Sequence, residues 1–316
     1  FTNVWNPEFD CSDGLDNDGD GFSACEECND SDSTVSALGT ESQNGRDDDC
    51  DGLVDEYGGD VVWTTEAEIA MFCQSFASVE GDLDIVGLAS LRGLTCLRGV
   101  GGDLRIAGVG STDVHGLERL TDVGGSVYFG GDLGGAVWLD GSAFTSLDGL
   151  DRLARVGGDF WAAHNQITGL DGALRLDTVG GGIILYDLPV TDAVLPVSSL
   201  GAGFWLERLP ALVSVSAPRL TAMQGSLWFE RVATDSGSFD VDWPLPISGT
   251  LGLVELPAGA AGSWSLPESV GGLWVSETEL TDVAGLADLR TVAGDCVLAA
   301  GAHGHRGIGW NYGDWW

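Results

Sequence analysis

The sequence predicts a mainly β fold, a parallel β-solenoid preceded by a small, loop-rich acidic module, and three observations carry that prediction. First, a short pattern recurs ten times, at Gly81, Gly102, Gly125, Gly158, Gly181, Ala202, Gly225, Gly249, Gly271 and Gly294, spaced 21 to 24 residues apart except for one interval of 33. Units this short cannot bury an apolar face alone, so they stack. Second, each mark is followed by one residue of any kind and then by apolar, outer and apolar residues, as in Phe204-Trp205-Leu206, which is the period-two pattern of a strand. Third, residues 1–60 hold 18 acidic residues against the single base Arg46, together with four of the seven cysteines.

Along the chain these observations divide the sequence into an aromatic arm (1–9), an acidic module (10–60), a cap (61–80), the repeats (81–300) and a glycine-rich aromatic tail (301–316). The 316 residues are 44% hydrophobic, enough for a sizeable core. The 49 glycines come with only 9 prolines and no triplet period, which excludes collagen. All 13 basic residues are arginine, and against 49 acids they leave a net charge of −36, which excludes nucleic acid and anionic membranes as partners. No run of 18 apolar residues is present. The chain starts at Phe1 without a methionine or a signal-like stretch and reads as a processed mature chain or a fragment.

In the module, Asp13–Phe22 recurs as Asn44–Leu53, with carboxylates at alternate positions followed by glycine. Such spacing wraps oxygens around a hard cation, and the glycine permits the sharp turn. Asp16, Asp18, Asp20, Gly21 and Glu27 meet the full twelve-residue calcium-loop spacing, with the Phe22 carbonyl as a further ligand. The second copy offers Asp47, Asp49, Asp51 and the Leu53 carbonyl, but its twelfth position is Gly58, so Asp55 or Glu56 has to close it. The predicted cofactor is Ca2+. No amphipathic helices flank either loop, which favours a static module over a helix–loop–helix sensor. Two disulfides are predicted among Cys11, Cys25, Cys28 and Cys50, in any of three connectivities, and a third between Cys73 and Cys96. Disulfides place the protein outside the cell or on its surface.

The stretch Asp47-Asp48-Asp49-Cys50-Asp51-Gly52-Leu53-Val54-Asp55-Glu56 resembles the metal-binding motif repeats of MopE-type bacterial surface proteins and, more loosely, thrombospondin type 3 repeats, over about residues 8–57. In the repeats, Ala163-His164-Asn165-Gln166-Ile167-Thr168-Gly169-Leu170 resembles a leucine-rich repeat, and the coils at Gly81 and Gly102 resemble receptor L domains, over about residues 72–300. The second resemblance implies a right-handed coil. The first implies a bacterial surface location.

Glu66–Phe72 is predicted to form a short cap helix. The long interval after Gly125 contains an extra strand-like segment around Trp138, and Pro244, Pro246, Pro257 and Pro267 mark residues 232–268 as loop-rich. Cys296 takes an inward strand position and is predicted to be a small buried hydrophobe.

The outer position of successive coils reads Asp84, Arg105, Tyr128, Trp161, Ile184, Trp205, Trp228, Gly252, Trp274 and Val297, with Trp138 from the extra segment. A row of outward tryptophans among small residues marks an interaction face. Three occupants fit it: a glycan or other extended polymer, a second copy of the chain, or the chain's own termini. Phe1, Trp5 and Phe9 at one end and Trp310, Tyr312, Trp315 and Trp316 at the other supply aromatic termini that suit subunits of a filament or array.

Catalysis finds little support. His115 and His164 lie in repeat turns, His303 and His305 flank a glycine near the tail, and no nucleophile motif accompanies them. The expected function is a non-enzymatic, calcium-binding surface protein that assembles with copies of itself, the alternative being an adhesin for glycan or protein.

Overall fold

The computed structural model describes residues 14–23, 25–39, 44–50, 55–130, 142–235, 237–279 and 286–299. It is a parallel β-solenoid of about ten turns with 5% helix. Two sheets run along it, one of eight short strands from Glu56–Tyr57 to Ala222–Met223, the other of twelve from Val61–Trp63 to Cys296–Ala299, and every pairing is parallel between successive coils. The glycine marks open the strands of the larger sheet, as at Leu83–Val86, Leu104–Ala107 and Leu227–Glu230. The array begins one coil earlier than the first mark at Gly81. Gly59-Asp60-Val61-Val62-Trp63 is a further copy of the pattern, and Val61 pairs with Leu83.

The repeat is glycine-marked because the coils touch backbone to backbone. A Cβ on the marks Gly125 and Gly181 would lie 2.2 Å from Asp103 Oδ1 and 2.1 Å from Asp159 Oδ1, with backbone of the preceding coil at 2.7 and 2.8 Å, and one on Gly157, just before a mark, would lie 1.8 Å from the Gly124 carbonyl oxygen. Inward residues such as Leu83, Phe204, Leu206 and Phe229 are fully buried. Asn165, also buried, donates to the Ala163 carbonyl and accepts the Ile167 N–H, satisfying a corner of one coil from inside.

The cap helix Glu66–Phe72 forms as predicted. Thr65 accepts from the Glu68 N–H while the Glu68 carboxylate accepts from the Thr65 N–H, and Ile69 and Phe72 seal the first coil. The Cys73–Cys96 disulfide joins the helix end to that coil, with Cα atoms 5.5 Å apart.

Two expectations are corrected. Residues 232–268 are not simply loop-rich. Phe239–Asp242 and Ala261–Ser265 join Asp192–Val194 and Ser214–Ser216 in a third, four-stranded sheet, with the prolines confined to the connections. Phe239 and Val241 are buried while Asp240 and Asp242 are exposed, so the period-two signal was present behind the prolines. Cys296 pairs in register with Leu273 at an inward position, yet it is exposed, as is Leu298, because among the described residues no further coil stacks on this one. The inserted segment with Trp138, the arm and the tail lie outside the described residues.

Candidate metal centre and aromatic face

The first acidic loop folds around its own aspartates. Asp16 accepts the N–H groups of Gly19 at 2.6 Å and Gly21 at 3.0 Å, Asp18 accepts that of Asp20, and Asp20 accepts that of Phe22. Gly21, at the sixth loop position, has φ +104°, a conformation open to glycine. These bonds hold the loop's carboxylates close together. Ligand oxygens of Asp18, Asp20 and Glu27 lie within 4.8 Å of one another, as do those of Asp16, Asp18 and Asp30.

Glu27 is 1% exposed, and neither of its carboxylate oxygens has a hydrogen-bond partner; Asp18 Oδ2 is likewise buried without one. A buried carboxylate without a partner is costly. Burial, then the charges of Asp20, Asp18, Asp30 and Asp16, push the Glu27 carboxyl up to about 7. The donors that converge here are all oxygens, the set preferred by Ca2+ over softer metals.

Asp30 was missed by the loop spacing. It is held in place by Asn17, whose backbone N–H donates to Asp30 Oδ1 at 2.8 Å. A residue that approaches from outside the loop leaves no fixed interval in the sequence.

In the second copy, Asp55 accepts the N–H groups of Asn44 at 2.8 Å and Gly45 at 2.9 Å, so it closes back onto the start of its loop. Asp48 is buried and accepts from the Asn44 side-chain amide. Asp47 and Asp49 are half-buried, Glu56 lies in the first strand of the eight-stranded sheet, and Asp51 and Leu53 lie outside the described residues. Among the described residues no carboxylate cluster forms around this copy. Cys28 and Cys50 are disulfide-bonded, one of the pairings the sequence left open, and tie the two copies together, with Cα atoms 5.4 Å apart; Cys11, another of the four cysteines expected to form two bridges, lies outside the described residues.

The aromatic row has the predicted register. Asp84, Arg105, Tyr128, Trp161, Ile184, Trp205, Trp228, Gly252, Trp274 and Val297 pair in that order across nine successive strand pairings. The rings do not stand up from the sheet: Tyr128, Trp161, Trp205, Trp228 and Trp274 are all half-buried. A Cβ on Gly182 would lie 2.1 Å from Trp205 Cζ3, and one on Gly252 would lie 2.0 Å from Trp228 Cε3, so these two indoles lie over the glycines of flanking coils. Trp228 Nε1 donates to Glu230 at 3.2 Å and Trp274 Nε1 to Ser276 at 2.9 Å, which fixes the rings along their own strands.

Beside this row runs a ladder that the sequence showed only as small or acidic outer residues. Asp82 accepts the Asp103 N–H, Asp103 that of Ser126, Ser126 that of Asp159, and Asp159 that of Gly182. Each side chain thus satisfies backbone in the next coil. Arg105 bridges Asp82, Asp84 and Asp103 at 2.9, 3.3 and 2.5 Å and lies over the Tyr128 ring.

The far corner of the coil is left-handed from Gly87 to Glu277. It is glycine at Gly87, Gly108 and Gly130, then His164, Asp187, Arg208, Arg231, Glu255 and Glu277 with φ between 48° and 54°. His164 Nδ1 lies 3.0 Å from Asp187, and Arg231 pairs with Glu255. His115 Nδ1 contacts Glu118 at 3.0 Å; His303 and His305 lie outside the described residues.

No protein-family model, no curated protein and no solved structure matches this chain. Among the described residues no helix is long and apolar enough to cross a membrane.

Proposed function

We propose that this protein is a non-enzymatic, calcium-binding protein of the cell exterior, in which Ca2+ orders the acidic module on a rigid solenoid. The observation that carries the reading is Glu27, a buried carboxylate with neither oxygen hydrogen-bonded, in a cluster with Asp18 and Asp20. Asp16, Asp18, Asp20, Asp30 and Glu27 would hold the ion, whose charge offsets their mutual repulsion. The second copy would form a weaker site. Two disulfides support an oxidising location, and the resemblance to MopE-type surface repeats agrees with it.

Titration of chelator-stripped protein with CaCl2 by calorimetry tests the reading. Wild type is expected to bind Ca2+ with Mg2+ much weaker, and Glu27→Gln to weaken the tightest site at least tenfold. Absence of calcium binding, or a Glu27→Gln titration that matches wild type, overturns it.

Copies of the chain are the proposed partners. Exposed Leu298 and Cys296, at inward register positions of the last described coil, favour end-to-end association over association through the flat aromatic row.

A further inference from the structure

The aromatic row supports an inference that is independent of the metal centre. We propose that the strip around Trp205 and Trp228 binds an extended, uncharged polysaccharide.

The ring geometry comes first. Trp205 reaches back over Gly182 in the preceding coil, and Trp228 reaches forward over Gly252 in the following one. The two indoles therefore point away from each other along the solenoid axis and spread aromatic surface over four coils, on the order of 15 Å. Trp228 brings Cε3, Cδ2 and Cζ3 within 2.5 Å of a Cβ position on Gly252, Trp205 brings Cζ3 over Gly182, and both residues remain partly exposed to solvent. Any side chain at Gly182 or Gly252 would lift the ring off the sheet.

The shape decides between occupants. Tryptophans that anchor protein partners enter pockets and become fully enclosed. Rings already seated flat on their own sheet offer no protruding anchor, only a planar surface. The apolar face of a sugar ring is the matching shape, and a linear chain of sugars matches the axial spread. Polar groups for hydroxyls stand at the edge: Glu230, which accepts the Trp228 indole N–H, and Arg208, which donates to the Tyr186 hydroxyl at 2.8 Å. A few placed polar groups beside aromatic walls are the usual make-up of a small-ligand site.

Charge then selects among polysaccharides. With a net charge of −36, Glu230 against the Trp228 indole and Asp159 against the Gly182 backbone, the surface repels uronic-acid and sulfated polymers. An uncharged chain carries no such cost.

The test is a tryptophan-fluorescence titration of the full chain, in calcium and in EDTA, with hexasaccharides of cellulose, chitin, β-1,3-glucan, xylan and mannan, and with polygalacturonate as the charged control. At least one uncharged hexasaccharide is expected to bind under both conditions, at least tenfold tighter than its trisaccharide. Trp205→Ser and Trp228→Ser should each weaken it at least tenfold, Gly252→Val should do the same by displacing the ring, and Trp228→Phe should retain most of the affinity. Should a serine variant fail to fold, protection of wild-type tryptophans from N-bromosuccinimide by the bound saccharide replaces it. The inference is overturned if no uncharged saccharide binds, if polygalacturonate binds as well, or if folded serine variants bind like wild type. Calcium binding is measured separately, so either result stands without the other.

Discussion

The described part of the module, residues 14–50, buries three residues, Val35, Glu27 and Asp48, and two of the three are carboxylates. One solenoid coil, a shorter stretch from Gly181 to Leu200, buries Ile183, Leu185, Leu188, Val190, Ala193, Leu195, Val197 and Leu200. The coil is held by apolar burial and by hydrogen bonds to the coils on either side. The described part of the module has almost no apolar core, so its order rests on a covalent cross-link and on whatever neutralises its charge. The two regions differ in which condition unfolds them: the solenoid should yield to lost packing, the module to lost metal or lost disulfide.

The largest expected effect lies in the solenoid. Phe229 is fully buried against Phe239 and Trp264, where two of the sheets meet. Phe229→Ala is expected to cost about 3–5 kcal/mol in a denaturant melt. The loss should be the same in calcium and in EDTA. If EDTA alone removes as much stability from wild-type solenoid as this truncation does, the two regions are one cooperative unit and the contrast fails.

The two disulfides allow a closer test because their loops are nearly equal, with separations of 22 and 23 residues. Loop-closure entropy assigns each about 3 kcal/mol. Cys73→Ser with Cys96→Ser should therefore lower the main melt by about that amount. Cys28→Ser with Cys50→Ser should leave the main melt unchanged and open the module to limited proteolysis within residues 14–50, read by mass spectrometry. Equal effects on the main melt would show that the module is packed as part of the solenoid.

The same contrast decides what could be read from sequence. The solenoid was legible because each coil repeats one local rule: an outer residue such as Trp205 has the next coil's Trp228 opposite it, and the register follows from counting. It became illegible where a feature depends on the neighbouring coil. The left-handed corner is marked by glycine in three coils but is held by His164, Asp187 and four more charged residues beyond them, which no local pattern announces. The third sheet was hidden by prolines that interrupt its connections and not its strands. In the metal centre, Asp16, Asp18, Asp20 and Glu27 follow from spacing along one loop, and the structure brings three of them, Asp18, Asp20 and Glu27, into one cluster. Asp30 does not follow, since its position depends on its bonds to Asn17 across the fold. The flat seating of Trp205 and Trp228 was equally out of reach, because the glycines beneath them, Gly182 and Gly252, belong to other coils.

The smallest expected effect sharpens the contrast through pH. The Glu27 carboxyl is pushed up to about 7 from an ordinary value of 4.5, by burial first and by the neighbouring aspartates next. Below pH 4.5 the group is protonated in both folded and unfolded module and contributes nothing to the pH dependence. Between 4.5 and 7 the metal-free folded module keeps a proton that the unfolded chain has lost, so its stability falls as pH rises through that window. Calcium needs the ionised carboxylate and must displace that proton, so its affinity should rise with pH across the same window, by up to about tenfold per unit, and level off above 7. Metal-free stability and calcium affinity therefore run in opposite directions, and the module's dependence on calcium is greatest at neutral pH. Calorimetric titrations at pH 5.5, 6.5 and 7.5 check this, with Glu27→Gln flattening most of the slope. An affinity independent of pH across this range would remove Glu27 from the ligand set and leave the ion to Asp16, Asp18 and Asp30.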